Sequence, residues 1–253
     1  MTIESIAEIL DTAAHEGKST PQISSSYEMT LDEAYQVQLA SLKRRYSRGE
    51  KLIGLKMGFT RKAKKEQKGV HDLIWGRLTD KMFYQSGSDL SLSSFIHPRA
   101  EPEIAFLISK DINEDITLEN VKDYVSHVAV SIEVIDSRYE NFKFSLADVI
   151  ADNCSSAAFT IGPWLDVNTE INDILMSLVE DDIIVGKGKS SAILGNPWES
   201  LVAAARLAKK YDEPIKEGYI ILAGAATPAH YLKSQINISA HAENLGSVNL
   251  DVI

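Results

Sequence analysis

The sequence predicts an α+β protein, with a small helical N-terminal part followed by a sheet-rich remainder. Three observations carry this. Apolar residues recur at helical spacing over residues 3–15 and again over 31–46. Beyond about residue 80, apolar runs of strand length dominate. One later helix is strongly signalled, opening at Asn196. With 253 residues, 44% of them hydrophobic and 25% charged, the chain has a globular composition and is long enough to bury a core and still present a site.

Each element has a local reason. Ile3, Ile6, Leu10 and Ala13 form the stripe of the first helix. Thr30 and Glu33 make a capping-box pair for the second. Its expected apolar stripe is Leu31, Tyr35, Leu39, Leu42 and Tyr46, with Gly49 as the stop. KLIGLKMGFT then reads as a strand ending near Thr60, which caps a short basic helix containing Lys62, Lys64 and Lys65. Residues 85–94 are rich in Ser and Gly and read as a loop. A boundary near residue 80 divides an N-terminal α/β part, 1–80, from a sheet-rich part, 81–253.

Residues 101–109 and 127–135 are strand-like runs, with a short helix expected from Thr117 to Tyr124. Shorter strands or hairpin arms follow at 155–162, 173–178 and 182–186, and GKGKSS reads as a hairpin turn. Asn196 is a good N-cap, Pro197 suits the first helical position and Glu199 completes the cap. The helix body is LVAAARLAKK. YIILAGA, INISAHA and SVNLDVI close the chain as three strands.

Composition limits the functions available. Lys and Arg total 26 against 36 Asp and Glu, a net charge of −10. An acidic surface repels a phosphate backbone, so nucleic acid is not the expected partner, and any anionic substrate must be held by local cations. A single cysteine, Cys154, excludes an intramolecular disulfide and Cys-rich zinc sites. No apolar run is long enough to span a membrane. The N-terminal stretch carries Glu4, Glu8 and Asp11 and does not read as a signal peptide, so a reducing cytoplasm is the expected location. His-based zinc motifs, a GxSxG elbow and phosphate-binding glycine loops are absent.

The chemistry-bearing pattern is RAEPEIAF. Glu101 and Glu103 are two apart in an extended segment, so both project to one face. Two such carboxylates need a proton or cation between them, and a hard divalent cation such as Mg²⁺ suits oxygen ligands. A solvated or salt-bridged pair is the commoner meaning of an ExE alone. Glu133 interrupts the apolar run SHVAVSIEVID, where an uncompensated charge is costly. A bound metal or a basic partner would satisfy it. Lys56 shares a strand face with Gly54 and Gly58, which suggests open space around its ammonium group. Arg138, Asp152, Asn153 and Ser155 belong to a dense polar stretch that reads as a site wall or a locked loop. Cys154 reads as a small buried thiol.

The segments GLKMGFT, HPRAEPEIAF, VSIEVIDSRYENFKF, ADNCSS, GNPWESLVAAARLA and LGSV occur in an order that resembles the hydratase/decarboxylase branch of the fumarylacetoacetate hydrolase superfamily. The resemblance runs from about residue 30 to the C-terminus. It implies a mixed β-roll core around Mg²⁺ or Mn²⁺, with Glu101, Glu103 and Glu133 as metal ligands and Lys56 as the active-site lysine. It further implies roles for Asp152 and Ser155 in catalysis, and for Ile74, Arg138 and Asn153 toward substrate. Leu73-Ile74-Trp75-Gly76 places Ile74 where the branch's hydratases carry an acid, as its decarboxylases do. The activity implied is therefore decarboxylation of 2-oxo-3-hexenedioate to 2-hydroxypenta-2,4-dienoate in the breakdown of aromatic compounds. Hydration of that dienoate is the alternative, and a non-catalytic scaffold a more remote one. The resemblance also implies a homo-oligomer and association with a hydratase. TPAHYLKSQ departs from the turn usual in this branch before the last strands.

Overall fold

Thr2 opens the first helix by accepting the Ser5 amide, while the Ser5 hydroxyl returns to the Thr2 backbone. In the computed structural model, which describes residues 1–60 and 73–253, this helix is α1 (Ile3–Glu16). It is followed by α2 (Leu31–Ser47), α3 (Leu146–Ala151) and α4 (Pro197–Lys210). Thr30 and Glu33 cap α2 reciprocally, as expected. The basic helix expected at Lys62, Lys64 and Lys65 lies outside the described residues.

The stripe expected for α2 is corrected by packing on two sides. The helix contacts both α1 and α3, and it buries Ala34, Tyr35, Val37, Gln38, Ser41 and Leu42 while Leu31 stays exposed. At α4 the Asn196 side chain accepts from Trp198 N–H, so the cap does not run through the Glu199 side chain. None of the described helices is long and apolar enough to cross a membrane.

The described strands are β1 (Leu52–Gly58), β2 (Ile74–Thr79), β3 (Phe83–Tyr84), β4 (Asp89–Leu90), β5 (Arg99–Ile108), β6 (Val125–Ile135) and β7 (Ser156–Ile161). They continue with β8 (Leu165–Asp166), β9 (Leu175–Glu180), β10 (Ile183–Lys189), β11 (Ile220–Leu222), β12 (His230–Tyr231), β13 (Ile236–Ala242) and β14 (Gly246–Val252). One sheet runs β2-β1-β11-β5-β6-β7-β3, with β12 added to β5 and β8 to β6. The second runs β10-β9-β13-β14-β4 and packs over β5 and β6. The arrangement is the helical part plus curled sheet core expected of the fold class.

Several local expectations change. GKGKSS is not a turn: most of it lies in β10, and the reversal before it is made by Asp181 and Asp182 in positive-φ conformations. The Ser-rich loop at 85–94 contributes β4 to the second sheet. The helix expected from Thr117 shrinks to a 3₁₀ turn, Val121–Tyr124. Residue 80 falls inside the larger sheet, because β1 and β2 precede it and β1 pairs in parallel with β11.

Strict alternation divides β5 and β6. Ile104, Phe106, Val128, Val130, Ile132 and Val134 face the main core, which α4 and the second sheet complete. Phe106 meets Trp198 of α4 with ring centroids 4.8 Å apart. The opposite face carries Arg99, Glu101, Glu103 and Ala105 on β5, and Ala129, Ser131 and Glu133 on β6. There Ala105, Ala129, Leu222, Leu78 and Phe159 form a small apolar cluster, and the carboxylates come next along the same strands.

Candidate functional site

The β5–β6 register sets Glu101 directly opposite Glu133, and Glu103 opposite Ser131. The three glutamates are buried, and each offers a carboxylate oxygen within 4.8 Å of the others. Lys56 joins them from β1, with Nζ 2.9 Å from Glu133 Oε2 and 3.3 Å from the Cys154 carbonyl, to which it donates. Glu133 Oε1 accepts from Ser156 Oγ at 2.9 Å, and Glu103 Oε2 accepts from Gly224 N–H at 2.7 Å. Gly224 has φ +103, and a Cβ there would lie 2.2 Å from Thr60 Oγ1. A side chain at this position would push away the amide that orients Glu103.

The electrostatics follow from this crowding. Burial pushes Glu103 well above the usual carboxylate range, the Glu133 charge adds to the rise, and Lys56 opposes it. Burial likewise raises Glu133 against the pull of Lys56. For Lys56, burial favours the neutral amine, but the charges of Glu133 and Glu103 outweigh it and hold the ammonium above its ordinary pKa.

Three carboxylates and one ammonium in a dry cluster leave a formal excess of two negative charges. Glu103 Oε1 is buried with no hydrogen-bond donor among the described residues. An all-oxygen donor set with an unsatisfied buried acceptor fits a hard divalent cation.

Lys56 and Glu101 of this cluster border a cavity of about 490 Å³. Lys56, Glu101, Ile74, Cys154 and Ser155 lie on its wall, together with apolar residues that include Ile135, Phe142, Phe144, Val149 and Ala229. Ser155 Oγ is buried without a partner among the described residues. Asn153, Cys154 and Ser155 all have positive φ, between 50° and 59°. Three successive L-residues in this region are strained, and the turn they form directs the Cys154 carbonyl at Lys56. Burial pushes the Cys154 thiol up to about 12, which keeps it protonated.

The other expected site residues stand behind this wall. Arg138 gives its Nε to Asp152 Oδ1 and its Nη2 to the Asp152 carbonyl, and Nη1 reaches the Ser156 carbonyl at 3.2 Å. Its backbone amide also donates to Asp152 Oδ2 at 3.0 Å. Asp152 and Arg138 are thus committed to each other, and neither faces the cavity. Burial lifts Asp152 to about 6 against the pull of Arg138. Asn153 is spent on β2, accepting from Arg77 N–H at 2.8 Å and donating to the Arg77 carbonyl at 2.9 Å.

The expectation of open space beside Lys56 is also corrected. A Cβ on Gly54 would lie 2.0 Å from the Ile220 carbonyl oxygen, so that glycine admits the neighbouring strand and not a ligand.

Sequence reasoning missed two groups. Gln38 on α2 is fully buried, donating to the Trp75 and Ile150 carbonyls at 3.1 and 2.8 Å and accepting from Arg77 Nη1 at 2.6 Å. Arg99 lines the cavity with its guanidinium carbon 3.9 Å from the Phe142 ring centroid. Its signal was present in RAEPE: residues 99, 101 and 103 share one strand face.

Comparison with known proteins follows the same lines. The fumarylacetoacetate (FAA) hydrolase C-terminal family matches residues 53–253. The chain is 45% identical over 249 residues to a 4-oxalocrotonate decarboxylase from Pseudomonas sp, covering 98% of this chain and 97% of that one. It is 35% identical over 206 residues to a 2-hydroxyhexa-2,4-dienoate hydratase from Comamonas testosteroni, covering 79% and 78%. Among solved structures, 4-oxalocrotonate decarboxylase from Pseudomonas putida G7 complexed with magnesium and adipate superposes with a TM-score of 0.96 at 32% identity, covering 99% of this chain and 97% of that one. With its carboxylate-bearing curled sheet and a match over most of its length, the chain belongs to the fumarylacetoacetate hydrolase family.

Proposed function

We propose that the protein is a metal-dependent carboxy-lyase that converts 2-oxo-3-hexenedioate to 2-hydroxypenta-2,4-dienoate. The carrying observation is the buried Glu101–Glu103–Glu133 cluster with Lys56, which opens through Glu101 and Lys56 onto a cavity whose wall at position 74 is isoleucine and not an acid. The similarity to decarboxylases over nearly the whole chain supports the same reading.

Glu101, Glu103 and Glu133 would hold Mg²⁺ or Mn²⁺, which supplies Lewis acidity toward a 2-oxo acid. In the reaction the C5–C6 bond breaks and CO₂ departs. The electron pair passes through the C3–C4 double bond to the 2-oxygen, which gains a proton. Lys56 keeps an ammonium charge beside the region where that negative charge collects, and its Nζ is the proton source we assign. Ser155 Oγ is free to donate to a substrate oxygen. Ile74, Ile135, Phe144 and Val149 keep this part of the cavity apolar, which limits access of water. Arg138, Asp152 and Asn153 act indirectly, by fixing the 153–155 turn.

The finer reading is a cytoplasmic homo-oligomer working beside a hydratase that consumes the dienol. Its support is the family resemblance, together with the chemistry of the dienol product, which is a hydratase's substrate.

Incubating the purified chain with 2-oxo-3-hexenedioate and Mg²⁺ should release one CO₂ per substrate and form the dienol. Hydration of added 2-hydroxypenta-2,4-dienoate without CO₂ release from the dicarboxylate would replace this reading with the hydratase.

A further inference from the structure

Among the described residues on the cavity wall there are two cations, Lys56 and Arg99. Lys56 is committed to Glu133 and the Cys154 carbonyl. Arg99 has no carboxylate partner among the described residues, and its Nε is buried without an acceptor. Leaving a guanidinium N–H dry and unpaired is costly unless a ligand completes it. The group is half-buried and stacked on Phe142. Stacking on a ring face leaves the in-plane N–H groups free, and their fork geometry matches a carboxylate. Arg99 is also two residues from Glu101 on the same face of β5, a rise of about 7 Å. That offset is comparable with the separation of the two ends of a six-carbon dicarboxylate.

We propose that Arg99 is the positioning residue that anchors the far carboxylate of the substrate and so sets a preference for 2-oxo dicarboxylates over 2-oxo monocarboxylates. This rests on the decarboxylase reading above and deepens it. The anchored group is the one that leaves. The C5–C6 bond breaks, its electron pair stays with the five-carbon fragment, and CO₂ carries no charge for Arg99 to hold. Arg99 therefore binds substrate and not product. The carboxylate keeps most of its charge as the C5–C6 bond begins to break, so Arg99 holds ground state and transition state about equally, and its loss should appear in KM and leave kcat nearly unchanged.

The test uses the Mg²⁺-loaded protein and two unreactive probes of equal chain length, 2-oxohexanedioate and 2-oxohexanoate, measured by calorimetry. The wild type should prefer the dicarboxylate by roughly 10- to 100-fold. Arg99→Leu should abolish that preference while binding 2-oxohexanoate within about twofold of wild type, and should raise KM for 2-oxo-3-hexenedioate by the same roughly 10- to 100-fold with kcat within about threefold. Arg99→Lys, which keeps the charge and loses the fork, should retain a reduced preference. Equal weakening of both probes in Arg99→Leu, or an unchanged preference in Arg99→Lys should the leucine variant not fold, overturns the assignment of Arg99 alone. Failure of the wild type to bind either probe in an Mg²⁺-dependent manner overturns the decarboxylase reading and the anchor with it.

Discussion

Lys56 Nζ lies 2.9 Å from Glu133 Oε2, with both side chains buried. The pair gives the lysine a fixed direction and a fixed charge. Because the glutamates outweigh burial and keep Nζ protonated, Lys56 is suited to donate a proton or stabilise negative charge, and not to act as a base. Lys56→Met should lower kcat by roughly two to four orders of magnitude. Mg²⁺ affinity measured by calorimetry should not fall, since removing a cation relieves competition for Glu133. Near-normal kcat in this variant would remove Lys56 from the chemistry.

The crowded carboxylates make a prediction about pH. In the metal-free protein, burial and Glu133 raise the folded-state pKa of Glu103 above its unfolded value of about 4.5. The folded state then binds more protons than the unfolded state above that pH. Stability from this group is present below pH 4.5 and is lost as pH rises through the raised pKa. Metal-free wild type should therefore lose Tm on going from pH 5 to pH 8, and Mg²⁺ should restore it by binding only the folded state. Glu103→Gln should flatten the metal-free profile and abolish the Mg²⁺-induced rise. An unchanged Mg²⁺ response in Glu103→Gln would exclude it as a ligand.

Asp152 and Arg138 form a buried pair whose hydrogen-bonding capacity is turned away from the cavity. Asp152→Asn strands the guanidinium and should cost about 3–5 kcal/mol of stability, read by denaturant unfolding. In the variant that remains folded, KM should change little, because the pair does not border the cavity. A large KM increase at unchanged stability would mean that Asp152 reaches the substrate after all.

Much of the site was legible because strand periodicity is local. The ExE of β5 and the lone glutamate of β6 each announce a face, and Lys56 does the same in β1. What periodicity does not encode is register: the meeting of Glu101 with Glu133, or of β1 with β11, depends on pairings between distant segments. The same limit explains Arg138 and Asn153. Their polar stretch was visible, but the direction of each side chain depends on the strained 153–155 turn and on Arg77 of β2. Gln38 was hidden for a related reason. A glutamine in a helical stripe reads as surface until the carbonyls of Trp75 and Ile150 are placed against it.

Ile74 offers the sharpest separation of the two chemistries available to this fold. It is buried on the cavity wall, across β1–β2 from Gly58. An aspartate there would add a negative charge close to a carboxylate cluster and a dianionic substrate, with little water to screen it. Ile74→Asp should therefore lower kcat/KM for CO₂ release by about 100-fold or more, equivalent to roughly 2.7 kcal/mol of transition-state stabilisation. It also places an acid/base group where water could be handled, so turnover of 2-hydroxypenta-2,4-dienoate should rise above the wild-type background. Ile74→Ala separates charge from packing. It opens the wall without adding an ion and should cost far less than the aspartate. If the alanine variant loses as much activity as the aspartate, the isoleucine acts through shape, and the electrostatic explanation for its place in the site fails.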